Sequence, residues 1–386
     1  MPRPLDERGT GRVDRDDWLH ISKPSLPPSD AFMPLVEEIL TTRWTSNGGP
    51  FAVGLEGAMA DYLGVTQVVG APSGDTALAM AMHAVRETRP DRDEVVLPSY
   101  TFPSTASAVI RAGLRPRFCD VDPSTLCVTP ETVVPHLSAR TAAVVPVHAH
   151  GHPCDMASLS GPAREVGAML VSDAASALGA LWDGRRIGGF GDLEVFSLSS
   201  TKVLTAGEGG LLASDDAELA SLLRRIGRYG LDEDYRAVTV GVNGRMAELP
   251  AALALASLPS LEGWLANRRV AAERYVALLE AVPGVRIAAP TDARATSAWK
   301  DMPLIVESPE LTRRLAKRLA ADRVQTRPYY RPVHLMPAFA PFAGTDLQVS
   351  GRLDGRVLCV PIFNDIVLDD VAFVAACVRD AVASGG

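Results

Sequence analysis

Through the middle of the chain, short apolar runs alternate with amphipathic stretches, and that alternation restricts the possible folds more than any other feature. Residues 95–98 (VVLP), 116–120 (PRFCD), 143–147 (AVVPV), 169–173 (MLVSD) and 194–197 (EVFS) read as strands buried on both faces. Residues 76–86, 130–137 and 156–166, lying between several of them, carry helical patterns. A strand apolar on both faces needs helices above and below it, and strands alternating with helices make βαβ units. The expectation is an α/β chain whose large domain holds a mostly parallel, seven-stranded type of sheet between helices. At 386 residues the chain exceeds one ordinary domain. A helical pattern over 246–279, interrupted at Pro259, leads out of the large domain. Beyond it come a strand at 302–306, a helix at 311–321, the Pro-rich loop 326–337 and a closing helix at 367–383. We read a flexible leader over 1–20, a large domain over 21–265 and a small α+β domain over 266–386.

The charge balance removes several functions. A formal net charge of −8 leaves no basic face for a phosphate backbone, so no nucleic-acid partner is expected. No uninterrupted apolar stretch reads as long enough to cross a bilayer, and the charged amino terminus lacks the apolar centre of a secretory signal. Cys119, Cys127, Cys154, Cys359 and Cys377 are dispersed without a C-x-x-C pair, which suits reduced thiols and a cytoplasmic location.

Ligands of open parallel sheets sit at the carboxyl ends of the strands. Four features fall there. Residues 71–76 (APSGDT) open a helix after the strand-like Val68 and Val69, and a helix amino terminus suits a phosphate; Ser73 or Asp75 capping the helix is the plainer reading. Asp173 ends a buried run, where a carboxylate needs a partner such as a protonated ring nitrogen, an arginine or a helix amide. Lys202 follows a strand in a loop of hydroxyls, ahead of Gly207, Gly209 and Gly210. Only four lysines occur, and Lys23, Lys300 and Lys317 lie in contexts that read as ordinary surface. Residues 99–102 (SYTF) follow another strand and offer an aromatic ring. A phosphate cradle, a ring platform, an acid and an amine are what pyridoxal phosphate needs from a protein.

His148, His150 and His152 would share one face of a strand, as metal ligands do, but no acid is spaced to complete a site, and a strand end lining the cleft is preferred; no metal is expected. The glycines of 184–191 and 207–210 do not form G-x-G-x-x-G between strand and helix.

The sequence resembles the DegT/DnrJ/EryC/StrS family of fold-type I, pyridoxal-phosphate-dependent sugar aminotransferases from about residue 44 to 363. The resemblance is carried by residues 44–50 (WTSNGGP), 98–102 (PSYTF), 147–153 (VHAHGHP), 173–179 (DAASALG), 191–197 (GDLEVFS), Thr201 and Lys202 with 207–210 (GEGG), 243–249 (NGRMAEL) and 326–330 (TRPYY). The first and third of these resemble in particular the members that aminate C4 of a dTDP-4-keto-6-deoxyhexose. The resemblance implies that Lys202 carries the cofactor, Asp173 pairs with its ring nitrogen and Phe102 stacks on the ring. It implies that Gly74, Asp75, Thr76 and Ser197 hold the phosphate, and that Asn243 reaches the phosphate of a neighbouring subunit in a homodimer with shared sites. Asn47, Tyr330, Arg331 and His334 are the candidate contacts to the substrates, L-glutamate and a dTDP-keto-sugar of antibiotic or glycan biosynthesis. A 3-keto sugar, a cyclitol ketone and a non-catalytic regulatory homologue are the alternatives. The sequence departs from the family at Asp75 within the cradle, at Ser176 in place of a glutamine or histidine touching the ring oxygen, and at Ser199 and Val203. A retained Lys202 disfavours the dehydratase branch, where histidine is expected.

Overall fold

The apolar runs pair as strands sandwiched between helices. The computed structural model describes residues 17–344 and 347–384. Its large sheet has seven strands: β1 (Gln67–Ala71), β2 (Glu94–Pro98), β3 (Arg115–Cys119), β4 (Thr141–Val144), β5 (Met169–Asp173), β6 (Leu193–Ser197) and β7 (Gly210–Ser214), in the order β1-β7-β6-β5-β4-β2-β3. The ladders from β3 through β2, β4 and β5 to β6 are parallel. β7 alone runs against both of its neighbours. Every residue of β2, β5 and β6 is buried, as their unbroken apolar character requires. The carboxyl ends of β1, β2, β5 and β6 therefore open on one side of the sheet.

Prolines account for two differences from the sequence reading. The 130–137 pattern is one α-turn, Pro130–Val133, followed by a 3₁₀ turn, Val134–His136, because Pro135 has no N–H to continue the helix. The 246–279 pattern is two helices, Glu248–Ser257 and Leu261–Leu279, joined by the 3₁₀ turn Leu258–Ser260 around Pro259. The segment from 248 to 279 is, against expectation, long and apolar enough by composition to cross a membrane. It lies instead against both sheets: Leu261 and Leu265 join the core beneath the large sheet, while Ala271, Tyr275 and Leu279 join that of the small one. The expected boundary at 265/266 thus falls inside a continuous helix that passes from one core to the other.

The small sheet holds β8 (Val285–Ile287), β9 (Met302–Val306) and β10 (Val357–Val360), antiparallel in that order, with the helices Pro309–Ala321 and Leu368–Ala383. Residues 1–16 of the expected leader lie outside the described residues. Its end is fixed: Leu19 is buried in the small core and bridges to Val324.

Candidate active site

A cleft of about 390 Å³ opens at the carboxyl ends of these strands. Ser73 caps the helix Gly74–Thr88, its Oγ accepting from the Thr76 N–H at 3.1 Å. Gly74 packs so tightly on β6 that an added Cβ would lie 2.7 Å from the Ser197 Cβ. Ser73, Gly74, Asp75 and Ser197 line this end of the cleft. The Asp75 carboxylate turns aside into a two-pronged pair with Arg111, both contacts 2.9 Å. What remains at the helix start is a positive dipole end with free amides. Thr76 is not among the lining residues; its hydroxyl meets Ser73 at 3.0 Å.

Asp173 ends β5 only 5% exposed. Its two oxygens accept from the Thr105 hydroxyl at 2.7 Å and the Ala175 N–H at 3.1 Å. Burial pushes its carboxyl above the usual range, and no ion pair holds it among the described residues. Lys202 stands across the cleft with Nζ donating to Ser176 Oγ at 3.4 Å. Burial, then the charge of Lys300, lower its ammonium to about 8. Phe102, at the N-terminal cap of the helix Pro103–Arg111, is 55% exposed and presents its ring to the cleft. Tyr330 meets it edge-on with centroids 6.2 Å apart.

The three histidines do not share a strand face. β4 ends at Val144 and the chain makes a 3₁₀ turn, Ala149–Gly151, with His150 at φ 58°. His148 Nδ1 accepts from the Cys154 N–H at 2.9 Å, so the proton of the neutral ring sits on Nε2. That Nε2 is buried at the cleft wall without an acceptor among the described residues. His150 lies between Asp301 (3.2 Å) and the Tyr100 hydroxyl (3.0 Å), and His152 between Ser297 and the Ala288 carbonyl.

Lys300 corrects the reading of the lysines. It is 6% exposed, lines the cleft and pairs with Asp301 at 2.7 Å. Tyr329 also lines the cleft, and the buried Tyr100 supports it from behind, its hydroxyl donating to the Tyr329 carbonyl at 2.8 Å. The remaining candidates lie elsewhere. Arg331 pairs with Asp354 on the surface, and His334 bonds to Ser99 behind the cleft wall. Asn47 and Asn243 both accept from Arg245, and Asn47 and Arg245 line a separate polar cleft with Arg228.

The residues suit pyridoxal phosphate. Asp173 is a buried carboxylate with two neutral donors and no cation, which a protonated ring nitrogen would supply. The Gly74–Ser197 approach leaves bare amides for a phosphate, and the unpaired His148 donor faces the same cleft.

Residues 29–379 match the DegT/DnrJ/EryC1/StrS aminotransferase family. Among characterised relatives, the GDP-perosamine synthase of Caulobacter vibrioides is 34% identical over 349 residues, 88% of this chain and 92% of that one. The dTDP-4-amino-4,6-dideoxy-D-glucose transaminase of Shigella dysenteriae is 28% identical over 94% of this chain and 98% of its own. The crystal structure of DesI, solved with its TDP-sugar product, superposes with a TM-score of 0.88 at 32% identity, covering 96% of this chain and 94% of DesI.

Proposed function

The chain belongs to the DegT/DnrJ/EryC1/StrS aminotransferase family, and from that premise we propose that it moves the amino group of L-glutamate to the C4 ketone of a dTDP-linked 4-keto-6-deoxyhexose. It is a sugar aminotransferase whose cofactor is pyridoxal phosphate. The observation that carries the reading is the half-buried Lys202 amine, free of any ion pair among the described residues, facing a buried and unneutralised Asp173 across one cleft.

When bound, the cofactor supplies an electron sink and a carrier for the amino group. Lys202 would hold it and, once released, move a proton at the donor Cα through Nζ. Such positioned transfer is typically worth about 10² to 10⁴ in rate. Asp173 would keep the proton on the ring nitrogen, Phe102 would cover one ring face, and Ser176 would orient the Lys202 amine. Ser197 with the amides of Gly74 and Asp75 would hold the phosphate, while Arg111 draws the Asp75 charge away from it. Tyr330 is the candidate substrate contact placed in the cleft.

Asn47 and Asn243, outside this cleft, fit a homodimer in which each subunit completes its neighbour's site. The exposed Leu40, Trp44, Val53 and Leu249 near them suit such an interface. Five buried thiols, none paired, fit work in the reducing cytoplasm.

The Caulobacter relative favours a second reading, a GDP-linked acceptor. Purified protein with L-glutamate, assayed against dTDP-linked 4-keto, GDP-linked 4-keto, 3-keto and cyclitol acceptors, separates the readings. The expected result is amine transfer fastest to the dTDP-linked 4-keto sugar. Preference for another acceptor overturns the assignment, and an absorption spectrum unchanged by glutamate overturns the donor.

A further inference from the structure

Beyond the groups a cofactor would touch, the cleft holds a second lysine, this one buried, in an elaborate setting. Lys300 Nζ pairs with Asp301 Oδ1 at 2.7 Å and lies 5.2 Å from the Tyr329 ring centroid. Asp301 is fixed in turn through His150 and Tyr100, whose hydroxyl receives the Tyr330 N–H at 3.0 Å.

Two links tie the Lys300 backbone to the Lys202 loop. The buried Arg268 donates to the carbonyls of Trp299 and Lys300 and to Asn364 Oδ1, and Asn364 Nδ2 donates to the Val203 carbonyl at 2.8 Å. On the other side, the turn at Gly151 (φ 92°) is wedged between Ser176 and Lys300. An added Cβ there would stand 2.9 Å from the Ser176 carbonyl oxygen and 3.0 Å from the Lys300 nitrogen. Ser176 is the residue that receives the Lys202 amine. The segments carrying the two lysines are thus joined on both sides.

We propose that Lys300, anchored by Asp301, is a positioning residue for Lys202: its fixed positive charge in the same cleft disfavours a second one and leaves the Lys202 amine free to react. A lysine beside another cationic group is a recognised route to an activated amine. The groups facing Lys202 are Asp173 from β5, Glu208 from the loop before β7, and Lys300 with Asp301 from the segment entering β9. After burial, the Lys300 charge is the largest influence holding the Lys202 ammonium near 8, and the three acids oppose it. The inference rests on Lys202 being the cofactor lysine.

The test is acetylation of the full chain, freed of cofactor, by acetic anhydride across a pH series, with Lys202 followed by mass spectrometry. With only four lysines in the chain, Lys23 and Lys317 serve as internal references. Lys300→Gln keeps a hydrogen bond for Asp301 but removes the charge. It should raise the Lys202 midpoint by about one pH unit, the order expected for one buried like charge. Lys300→Arg should hold it near the wild-type value. A Lys202 midpoint unmoved by Lys300→Gln overturns the proposal, as does an equal rise in Lys300→Arg. Should Lys300→Gln not fold, the pair Lys300→Gln/Asp301→Asn leaves no charge unpaired and should still raise the midpoint, by less; no rise there overturns it equally. Borohydride reduction of wild-type protein with pyridoxal phosphate is run alongside. A pyridoxyl mass absent from the Lys202 peptide sinks the cofactor-lysine reading, independently of how Lys300 behaves.

Discussion

At the scale of single residues, the site is a problem of where charge is tolerated. Asp173 is buried and Lys202 half-buried, and desolvation pushes each toward its neutral form, the acid upward and the amine down to about 8. For Lys202 the consequence has a definite sign. Between about 8 and the ordinary lysine value of 10.5 the unfolded chain holds the proton and the folded chain does not, so stability of the cofactor-free protein gains from this residue as pH rises through that window. Below pH 8 the free amine falls about tenfold per pH unit, and cofactor capture should fall with it. Stopped-flow absorbance of pyridoxal phosphate binding from pH 6 to 9.5 reads this directly, and a flat profile would contradict an amine lowered to about 8. Lys202→Ala should lower turnover by at least about 10² while leaving the circular dichroism spectrum unchanged, since a small residue there removes a positioned proton carrier and no core packing. Turnover retained in Lys202→Ala would exclude the amine from the chemistry.

At the scale of elements, the helix Gly74–Thr88 and the loops after β5 and β6 do the positioning. The Asp75–Arg111 pair is half exposed, so Asp75→Asn should cost less than about 1 kcal/mol in urea denaturation. Because the carboxylate faces Arg111, cofactor affinity should stay within about twofold of wild type on titration, the change expected from an outlying surface charge. A gain much beyond that would mean that Asp75 does face the phosphate. Gly74→Ala is the opposite case: a Cβ 2.7 Å from the Ser197 Cβ forces β6 and the helix apart. About 1–3 kcal/mol of stability and a weakened cofactor are expected in the same two measurements. The contrast shows what the sequence made legible. β2, β5 and β6 and the helix after Ser73 follow from local pattern, so Asp173, Lys202 and Gly74 could be set at strand and helix ends before any coordinates. Lys300 could not. Its carbonyl is held by the buried Arg268, and its anchor Asp301 is held by His150, 151 residues away in sequence. The alternating histidines keep strand spacing in the letters, but the regular strand ends at Val144, a last bridge joins Val147 to Asp173, and the chain then turns at Gly151, where φ is 92°.

At the scale of the whole molecule, the placement of Asn47 and Asn243 bears on the proposed homodimer. Both accept from Arg245, and Asn47 and Arg245 line a polar cleft apart from Lys202, beside apolar side chains left exposed on the helices Ser29–Thr42, Pro50–Leu63 and Glu248–Ser257. A two-fold dimer would bring that patch to its copy and give each Lys202 cleft an asparagine from the neighbour. This arrangement makes a prediction that a self-sufficient protomer does not. Lys202→Ala alone and Asn243→Ala alone should each be impaired in every site. In a dimer formed from one of each, one site receives the intact lysine of one subunit and the intact asparagine of the other, while the second site lacks both. Unfolding and refolding an equimolar mixture makes half of the dimers mixed, so about one quarter of wild-type turnover should return, by the symmetry of a two-fold interface. Sedimentation equilibrium on the same samples tells whether dimers formed. Dimers that recover no activity would place Asn243 in its own subunit's chemistry or outside the chemistry altogether. Monomers would remove the neighbour from the site, and the apolar patch over those three helices would then need another partner.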